Sequence, residues 1–251
     1  MKTFLKAAAI AALAGISLPS FALAQTEGGT IDVATIGEPP SLDPMTSTAD
    51  LVGIITQHMF ETLYTFDANW AVVPLLAADM PEISEDGTVY TIALREGVTF
   101  HDGSDMTAED VVASLGPYAP LLSLLSLNNS AAIVIPSEIA GEDVMDDFVG
   151  TGPYQLAERR PDQYIQLTRF DDYASRDEES NGYGGGRHQY LDEIRFVPVP
   201  DPNTRIEGAV AGQFDYVDSI AVEAYDRIAS GNTEPVMLAP FGWPVFVMNT
   251  A

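Results

Sequence analysis

The sequence contains no cysteine, and its only two lysines are Lys2 and Lys6. The absence of cysteine excludes disulfides, thiolate nucleophiles and thiolate metal sites. From residue 25 onward, nine arginines stand against 37 acidic residues, which gives a formal net charge of −28. Such an acidic surface repels the phosphates of nucleic acids and of anionic lipids. We therefore expect no nucleic-acid partner.

Histidine is also scarce, since only His58, His101 and His188 occur. Their spacing matches no zinc motif, and no Gly-x-Ser-x-Gly nucleophile segment is present. Acidic residues cluster over 142–147 and 177–179. Paired acids can hydrolyse glycosides, but runs of acids are usually solvated faces, and the spacing of a calcium loop is absent. We predict a binding protein without cofactor or metal, and a secreted hydrolase is the less favoured alternative.

The N-terminus has the order of features of a secretory signal peptide. Two lysines precede an apolar run over 7–18, and Ala22-Leu23-Ala24 matches the small-x-small cleavage pattern. The apolar run is shorter than a membrane-spanning helix requires. We predict a cleaved signal peptide over residues 1–24 and a periplasmic location for the rest of the chain.

The strongest local signals lie in one short part of the chain. Alternating side chains over 88–94 predict a strand, and Glu-Asp-Gly over 85–87 predicts a hairpin turn before it. His-Asp-Gly over 101–103 predicts a second turn. Thr107 and Asp110 have the spacing of a capping box, which predicts that a helix begins there.

Elsewhere the periodicity of apolar residues predicts further elements. Strands are expected over 30–36, 164–170 and 191–199, where apolar residues alternate or run together. A long helix is expected over 48–64, because its apolar residues recur at helical spacing. Another helix is expected to end near Gly212.

The phrase over 95–103, Arg-Glu-Gly-Val-Thr-Phe-His-Asp-Gly, resembles the signature R-x-G-V-x-F-H-D-G of the family 5 extracellular solute-binding proteins. Members of this family are the peptide, dipeptide, nickel and glutathione receptors of ABC importers. Segment 38–44 is similar to the family's x-P-x-S-L-D-P, and segment 150–154 reads G-T-G-P-Y, as in the family. The resemblance covers residues 30–251, but only about half of a family member.

The resemblance implies an α/β fold of the type II periplasmic binding proteins, in which two hinged lobes close on a ligand. We predict that residues 25–251 form the first lobe, with a mixed β-sheet and flanking helices, and that the second lobe is largely absent. In the family, the helix that begins at Thr107 continues into a β-rich segment. Here Gly116 and Pro117 end it at once, so we predict an internal deletion near residues 115–116.

The family also indicates which loops lie at the mouth of the ligand cleft. Segment 37–44 contains three prolines, which forbid a helix and favour an extended loop. The glycines that flank Thr151 predict a tight turn that also faces the cleft, and a positive φ at Gly152 would exclude larger residues there. The candidate ligand contacts are Glu38, Pro40, Ser41, Leu42, Asn128, Asn129, Thr151 and Gly152.

The function implied by the resemblance is that of a periplasmic substrate-binding protein. It would capture oligopeptides or dipeptides and deliver them to the permease subunits of an ABC transporter in the inner membrane. The alternative ligand is a nickel chelate or another small non-peptide solute, since the family covers both. We expect no cofactor, and a monomer when the protein is complete.

Overall fold

The computed structural model describes residues 27–47, 49–116, 126, 132–141, 145–231 and 233–236. Its strands are β1 (Thr30–Thr35), β2 (Tyr64–Phe66), β3 (Val72–Pro74), β4 (Glu82–Ile83), β5 (Tyr90–Thr91), β6 (Tyr154–Arg160), β7 (Tyr164–Arg169), β8 (Glu193–Pro198) and β9 (Tyr216–Val217). Its helices are α1 (Asp50–Thr56), α2 (Ala108–Leu115), α3 (Pro202–Ala211) and α4 (Tyr225–Ala229), with a 3-10 turn over Val222–Ala224. The predicted signal peptide, residues 1–24, lies outside the described residues.

A five-stranded mixed sheet, in the order β6–β7–β8–β1–β9, is the centre of the fold. β1 runs parallel to β8 and β9, whereas β7 runs antiparallel to β6 and β8. The predicted strands over 30–36, 164–170 and 191–199 correspond to β1, β7 and β8, so these predictions are confirmed. The fold is therefore the mixed-sheet α/β architecture that the resemblance implies.

The main core lies between this sheet and α1. On β7 and β8 the second and fourth residues are buried and those beside them are partly exposed, which is the pattern of strands with one covered face. Below the sheet, α1 contributes Leu51 and Ile55, and the segment after it contributes Met59 and Phe60. A second core surrounds Tyr64 and is built from short strands and loops rather than from the large sheet.

The helix predicted over 48–64 is shorter than expected, and that prediction is wrong beyond Thr56. Every residue from Met59 to Thr65 is buried, so no face of this segment remains for solvent. Its backbone instead pairs with distant chain. The Val134 N–H donates to the Glu61 carbonyl at 2.9 Å, and the Leu75 N–H donates to the Leu63 carbonyl at 3.0 Å. Tertiary pairing replaces the helical hydrogen bonds that the apolar spacing predicts.

The hairpin predicted before residue 88 is confirmed, because β4 and β5 pair antiparallel across it and Gly87 has a φ of 71°. The strand predicted over 88–94 is wrong in extent, since only Tyr90–Thr91 forms a ladder. Within the described part of the chain, no layer covers this hairpin, and Ile83 and Tyr90 are about half exposed. Without a covering layer, alternation alone does not extend a strand.

Two helix boundaries predicted from the sequence are confirmed. Thr107 and Asp110 form the capping box of α2, and the Asp110 carboxylate also accepts a hydrogen bond from the Ser137 N–H at 2.8 Å. α3 ends at Gly212, which adopts the left-handed conformation that favours glycine. No helix in the described ranges has the length and apolarity needed to cross a bilayer.

Candidate functional site

The carboxyl ends of three parallel strands meet at one edge of the sheet. β1 is the middle strand, and β8 and β9 lie on its two sides and end at the same edge. After β1 the chain returns to the sheet as β6, β7 and β8 on one side of β1, and then crosses over through α3 to β9 on the other side. In open α/β sheets, ligands bind in the crevice outside the carboxyl ends of the strands where the strand order diverges. The loop that follows β1 therefore lies at the edge where sheets of this kind bind ligands.

This loop, residues 36–44, is held in a fixed position by a charged clamp from β6. The Arg159 guanidinium donates to one Glu38 carboxylate oxygen from Nε at 3.0 Å and from Nη2 at 2.7 Å. The other Glu38 oxygen accepts from the Asp162 N–H at 2.6 Å, and Arg159 also donates to the Pro39 carbonyl at 3.0 Å. The hydrogen bond from Asp162, and then Arg159, lower the pKa of Glu38 below its usual value. Glu38 is thus ionised and positions the loop.

Local turns fix the second half of the loop. The Asp43 N–H donates to Ser41 Oγ at 3.0 Å, and the buried Asp43 carboxylate accepts from the Met45 N–H at 2.8 Å. Pro40 is exposed and Ser41 is partly exposed, whereas Leu42 is fully buried in the main core. Pro40 and Ser41 are the candidate contacts that face solvent directly, and Leu42 anchors the loop from below.

The crevice under the loop, beside Gly37 and Tyr164, has no volume that would admit a water molecule. A ligand at this edge would therefore lie on the outer surface of the loop, and not beneath it. Such a surface is one wall of a site, and a second wall is needed to exclude water from the ligand.

The turn over 150–152 lies at the opposite edge of the sheet, at the start of β6. β6 has seven residues, so at about 3.3 Å per residue its two ends lie roughly 20 Å apart. The structure thus does not bring Thr151 and Gly152 together with the Glu38 loop. Thr151 is 1% exposed and Gly152 is buried. Neither presents a side chain to solvent.

The tight turn is present, but the positive φ considered for Gly152 is not, since Gly152 is not among the residues with positive φ. Close backbone contact is the actual reason for glycine here. The Gly152 N–H donates to the Met59 carbonyl at 2.9 Å, and the Gly152 carbonyl lies 3.0 Å from Nε2 of His101. Because Nδ1 of His101 accepts from the Gly150 N–H at 3.2 Å, the proton of the neutral ring is on Nε2.

A buried carboxylate that the sequence reasoning missed lies behind this turn. The Glu61 side chain is 1% exposed. It accepts hydrogen bonds from the Thr151 hydroxyl at 3.1 Å, the Tyr173 hydroxyl at 2.8 Å and the Arg187 guanidinium at 3.2 Å. Burial raises the pKa of Tyr173, which therefore remains a donor. The one local signal was an acid inside an apolar run, and it did not identify the partners.

The remaining candidate contacts, Asn128 and Asn129, lie outside the described residues. Among the residues that the structure does describe, no group of three histidine or acidic side chains is placed to hold a metal ion.

Acid is expected to weaken the fold through His58 before the carboxylates titrate. Burial, and then the Arg187 charge, lower the pKa of His58 to about 4 from 6.5. Between those values the unfolded chain binds more protons than the folded chain, so stability is full above about pH 6.5 and falls toward pH 4. From pH 7 to pH 5.5 we expect a loss of about 1 kcal/mol.

Urea unfolding at the two pH values, in fixed salt, measures this loss. The His58→Phe variant keeps an aromatic ring but cannot titrate, and its midpoint should depend less on pH. A wild-type midpoint that is the same at pH 7 and pH 5.5 would show that the His58 ring is protonated equally in both states.

Comparison with protein families gives a direct match. A sequence model described as bacterial extracellular solute-binding proteins, family 5 middle, matches residues 71–119 and 115–251. The two matched segments meet at residues 115–119 and together cover most of the chain.

Individual relatives agree with this match. The oligopeptide-binding protein AppA of Bacillus subtilis is 26% identical over 78% of this chain and 42% of its own length. The periplasmic binding protein DppA of Helicobacter pylori, solved with the peptide STSA, superposes with a TM-score of 0.69 at 20% identity, over 83% of this chain and 50% of its own. NikA of Brucella suis, solved with Fe(III)-EDTA, superposes with a TM-score of 0.66 at 23% identity, over 80% of this chain and 46% of its own. The chain spans about half the length of these relatives.

Proposed function

The chain belongs to family 5 of the bacterial extracellular solute-binding proteins, and from this premise we propose that it serves an ABC importer by binding oligopeptides or dipeptides. The observation that carries the proposal is the clamped loop over 36–44 at the carboxyl ends of β1, β8 and β9. That edge is where open α/β sheets bind ligands. Pro40 and Ser41 form the exposed part of the loop, with Glu38 positioning it.

An extended loop suits an extended peptide. A rigid loop backbone can pair with a peptide main chain by hydrogen bonds, and this mode tolerates different peptide side chains. AppA is named for oligopeptides, and DppA was solved with a tetrapeptide. These likenesses support a peptide ligand for this chain. Thr151, Gly152 and Leu42 are buried and are left out of the proposed surface, whereas Asn128 and Asn129 stay in it on the family's loop placement.

A metal chelate is the second candidate, because NikA was solved with Fe(III)-EDTA. An anionic chelate needs a free cation at the site. At the described carboxyl edge Arg159 is paired with Glu38 and Arg160 with Glu158. Arg205 is buried there and donates to the Val199 and Pro200 carbonyls. A peptide, which can use backbone hydrogen bonds, is the better match to this edge.

The remaining parts of the proposal concern the whole protein. The signal-peptide pattern over residues 1–24 supports export to the periplasm, where the protein would deliver its ligand to membrane permease subunits as a monomer. Residues 25–251 are proposed as the first lobe, and the two family matches that meet at 115–119 support a deletion near 115–116. One lobe supplies only one wall of the ligand site, and water stays in contact with the ligand on the other side. We therefore expect this chain to bind peptides with millimolar affinity.

The clamp offers a test of the loop's role. Replacing Arg159 with alanine should weaken binding of a tripeptide several-fold, because the loop would lose the contacts that order it before the ligand arrives. Arg160→Ala is the matched control, since Arg160 pairs with Glu158 and has no contact with the loop. Native mass spectrometry with millimolar tripeptide measures both variants.

The same experiment separates the two ligand classes. Adducts with dipeptides and tripeptides, and none with Fe(III)-EDTA, are expected. An adduct with the chelate and none with any peptide would overturn the peptide proposal. Equal peptide binding by the Arg159 and Arg160 variants would show that the clamp does not order the ligand surface.

A further inference from the structure

A concave surface lies about 20 Å from the proposed peptide face, at the amino-end edge of the sheet. It is a cleft of about 500 Å³ between the segment that follows α1, the start of β6 and the glycine-rich segment before β8. This volume lies within the range of small-molecule sites, about 300–1,000 Å³. The Arg159 clamp and the 36–44 loop do not reach it.

Three tyrosines contribute to the walls of the cleft. Tyr154, Tyr183 and Tyr190 line it together with Pro153 and Ile194. The Tyr154 ring is held in place, because its hydroxyl donates to the Leu191 carbonyl at 3.0 Å. Tyr183 is 48% exposed, although its backbone N–H is fixed to the Phe66 carbonyl. Tyrosine rings in a cleft wall favour an aromatic ring as the ligand, because they can stack with it.

One cation lies in the wall of the cleft. Arg187 donates one guanidinium N–H to Glu61 and one to the Tyr183 carbonyl at 3.0 Å. A guanidinium carries five N–H donors. Three therefore have no protein partner among the residues that the structure describes, and the side chain is 20% exposed. Guanidinium N–H groups that remain free can donate to a carboxylate.

The His58 ring is a further polar group of the cleft, whose lining also includes Gln57, Ser180 and His188. It contacts Tyr154 edge to face and Phe196 at a tilt, and within the described chain neither ring nitrogen has a hydrogen-bond partner. Since the pKa of His58 is lowered to about 4, the ring is neutral at pH 7 and offers one donor and one acceptor. An imidazole in this state can donate to an anionic oxygen beside the guanidinium.

From these groups we propose that the cleft is a second binding site, for a small carboxylate that carries an aromatic ring. The carboxylate takes the free N–H groups of Arg187 and the donor of His58. The ring lies among the tyrosines. Because Glu61 already balances the Arg187 charge, specificity comes from hydrogen-bond geometry and ring contact rather than from net charge.

A titration with benzoate, monitored by the amide resonances in NMR spectra, tests this site. With benzoate we expect saturable shifts of the amides of Tyr154, Gly184 and Arg187. Benzylamine should cause no shifts there, and acetate should bind roughly tenfold more weakly than benzoate. Arg187→Lys keeps the charge beside Glu61 but removes the fork, and should weaken benzoate about tenfold. Tyr225→Ala, exposed on α4 and outside the cleft, should bind benzoate as wild type does.

The outcomes decide the proposal in either direction. Equal binding of benzylamine, no shift at the cleft with benzoate, or unchanged affinity in a folded Arg187→Lys variant would overturn it. If Arg187→Lys does not fold, Tyr183→Ala decides, because the exposed Tyr183 ring makes no side-chain hydrogen bond in the described chain. Loss of benzoate affinity in that variant supports the site, and unchanged affinity refutes it.

Discussion

Replacing Gly152 with alanine is expected to destabilise the protein by about 3 kcal/mol, the upper end of the cost of overpacking. A Cβ at this position would lie 2.5 Å from the His58 carbonyl oxygen and 2.7 Å from the Met59 carbonyl carbon. Both are backbone atoms, so no side-chain rotation relieves the clash. The turn would have to move away from the segment after α1, and its hydrogen bond to Met59 would break.

Urea unfolding measures this effect, and Gly37→Ala is the matched control. A Cβ on Gly37 would meet no atom within 4 Å, and its φ is not positive. That variant should lie within about 0.5 kcal/mol of wild type. If the Gly152 variant unfolds at the wild-type midpoint, the turn does not pack closely against residues 58–59.

Arg187→Met is expected to cost about 3–5 kcal/mol, because it leaves the Glu61 charge buried without a counter-charge. Glu61→Gln should cost less, since Arg187 is partly exposed and can be solvated by water. The loss of unfolding free energy in the double variant should be smaller than the sum of the two single losses, by roughly 1–3 kcal/mol. This coupling is the signature of a buried ion pair.

The control for the pair is the exposed ion pair between Arg160 and Glu158, whose side chains are 53% and 42% exposed. Arg160→Met should change the free energy of unfolding by less than about 1 kcal/mol. Additive effects of the Glu61 and Arg187 changes in the cycle would mean that the two groups do not interact in the folded protein.

Local signals in the sequence predicted the elements that depend on local physics. The capping box at Thr107 and Asp110, the glycine end of α3 and the hairpin at Gly87 each arise from residues within a few positions of one another. The alternation in β7 and β8 reports one covered face of a sheet. Such features can be predicted from the sequence because the residues that interact lie in the same short segment.

The parts that were missed depend on residues far apart in the chain. Arg187 and Glu61 are 126 positions apart, and Arg159 and Glu38 are 121 apart. No periodicity connects such pairs. The extent of the 48–64 helix was wrong for the same reason, since its second half pairs with distant backbone. The placement of Thr151 and the Glu38 loop at opposite edges is a property of the sheet that no single segment encodes.

Amide NMR with millimolar trialanine tests most directly the claim that the ligand face is the carboxyl edge of the sheet. Trialanine is expected to shift the amides of Gly37, Glu38 and Ser41, and to leave those of the 150–152 turn unchanged. A millimolar affinity is sufficient for this measurement, because amide shifts detect weak binding in fast exchange. Shifts confined to the 150–152 turn, with none over 37–41, would contradict the account.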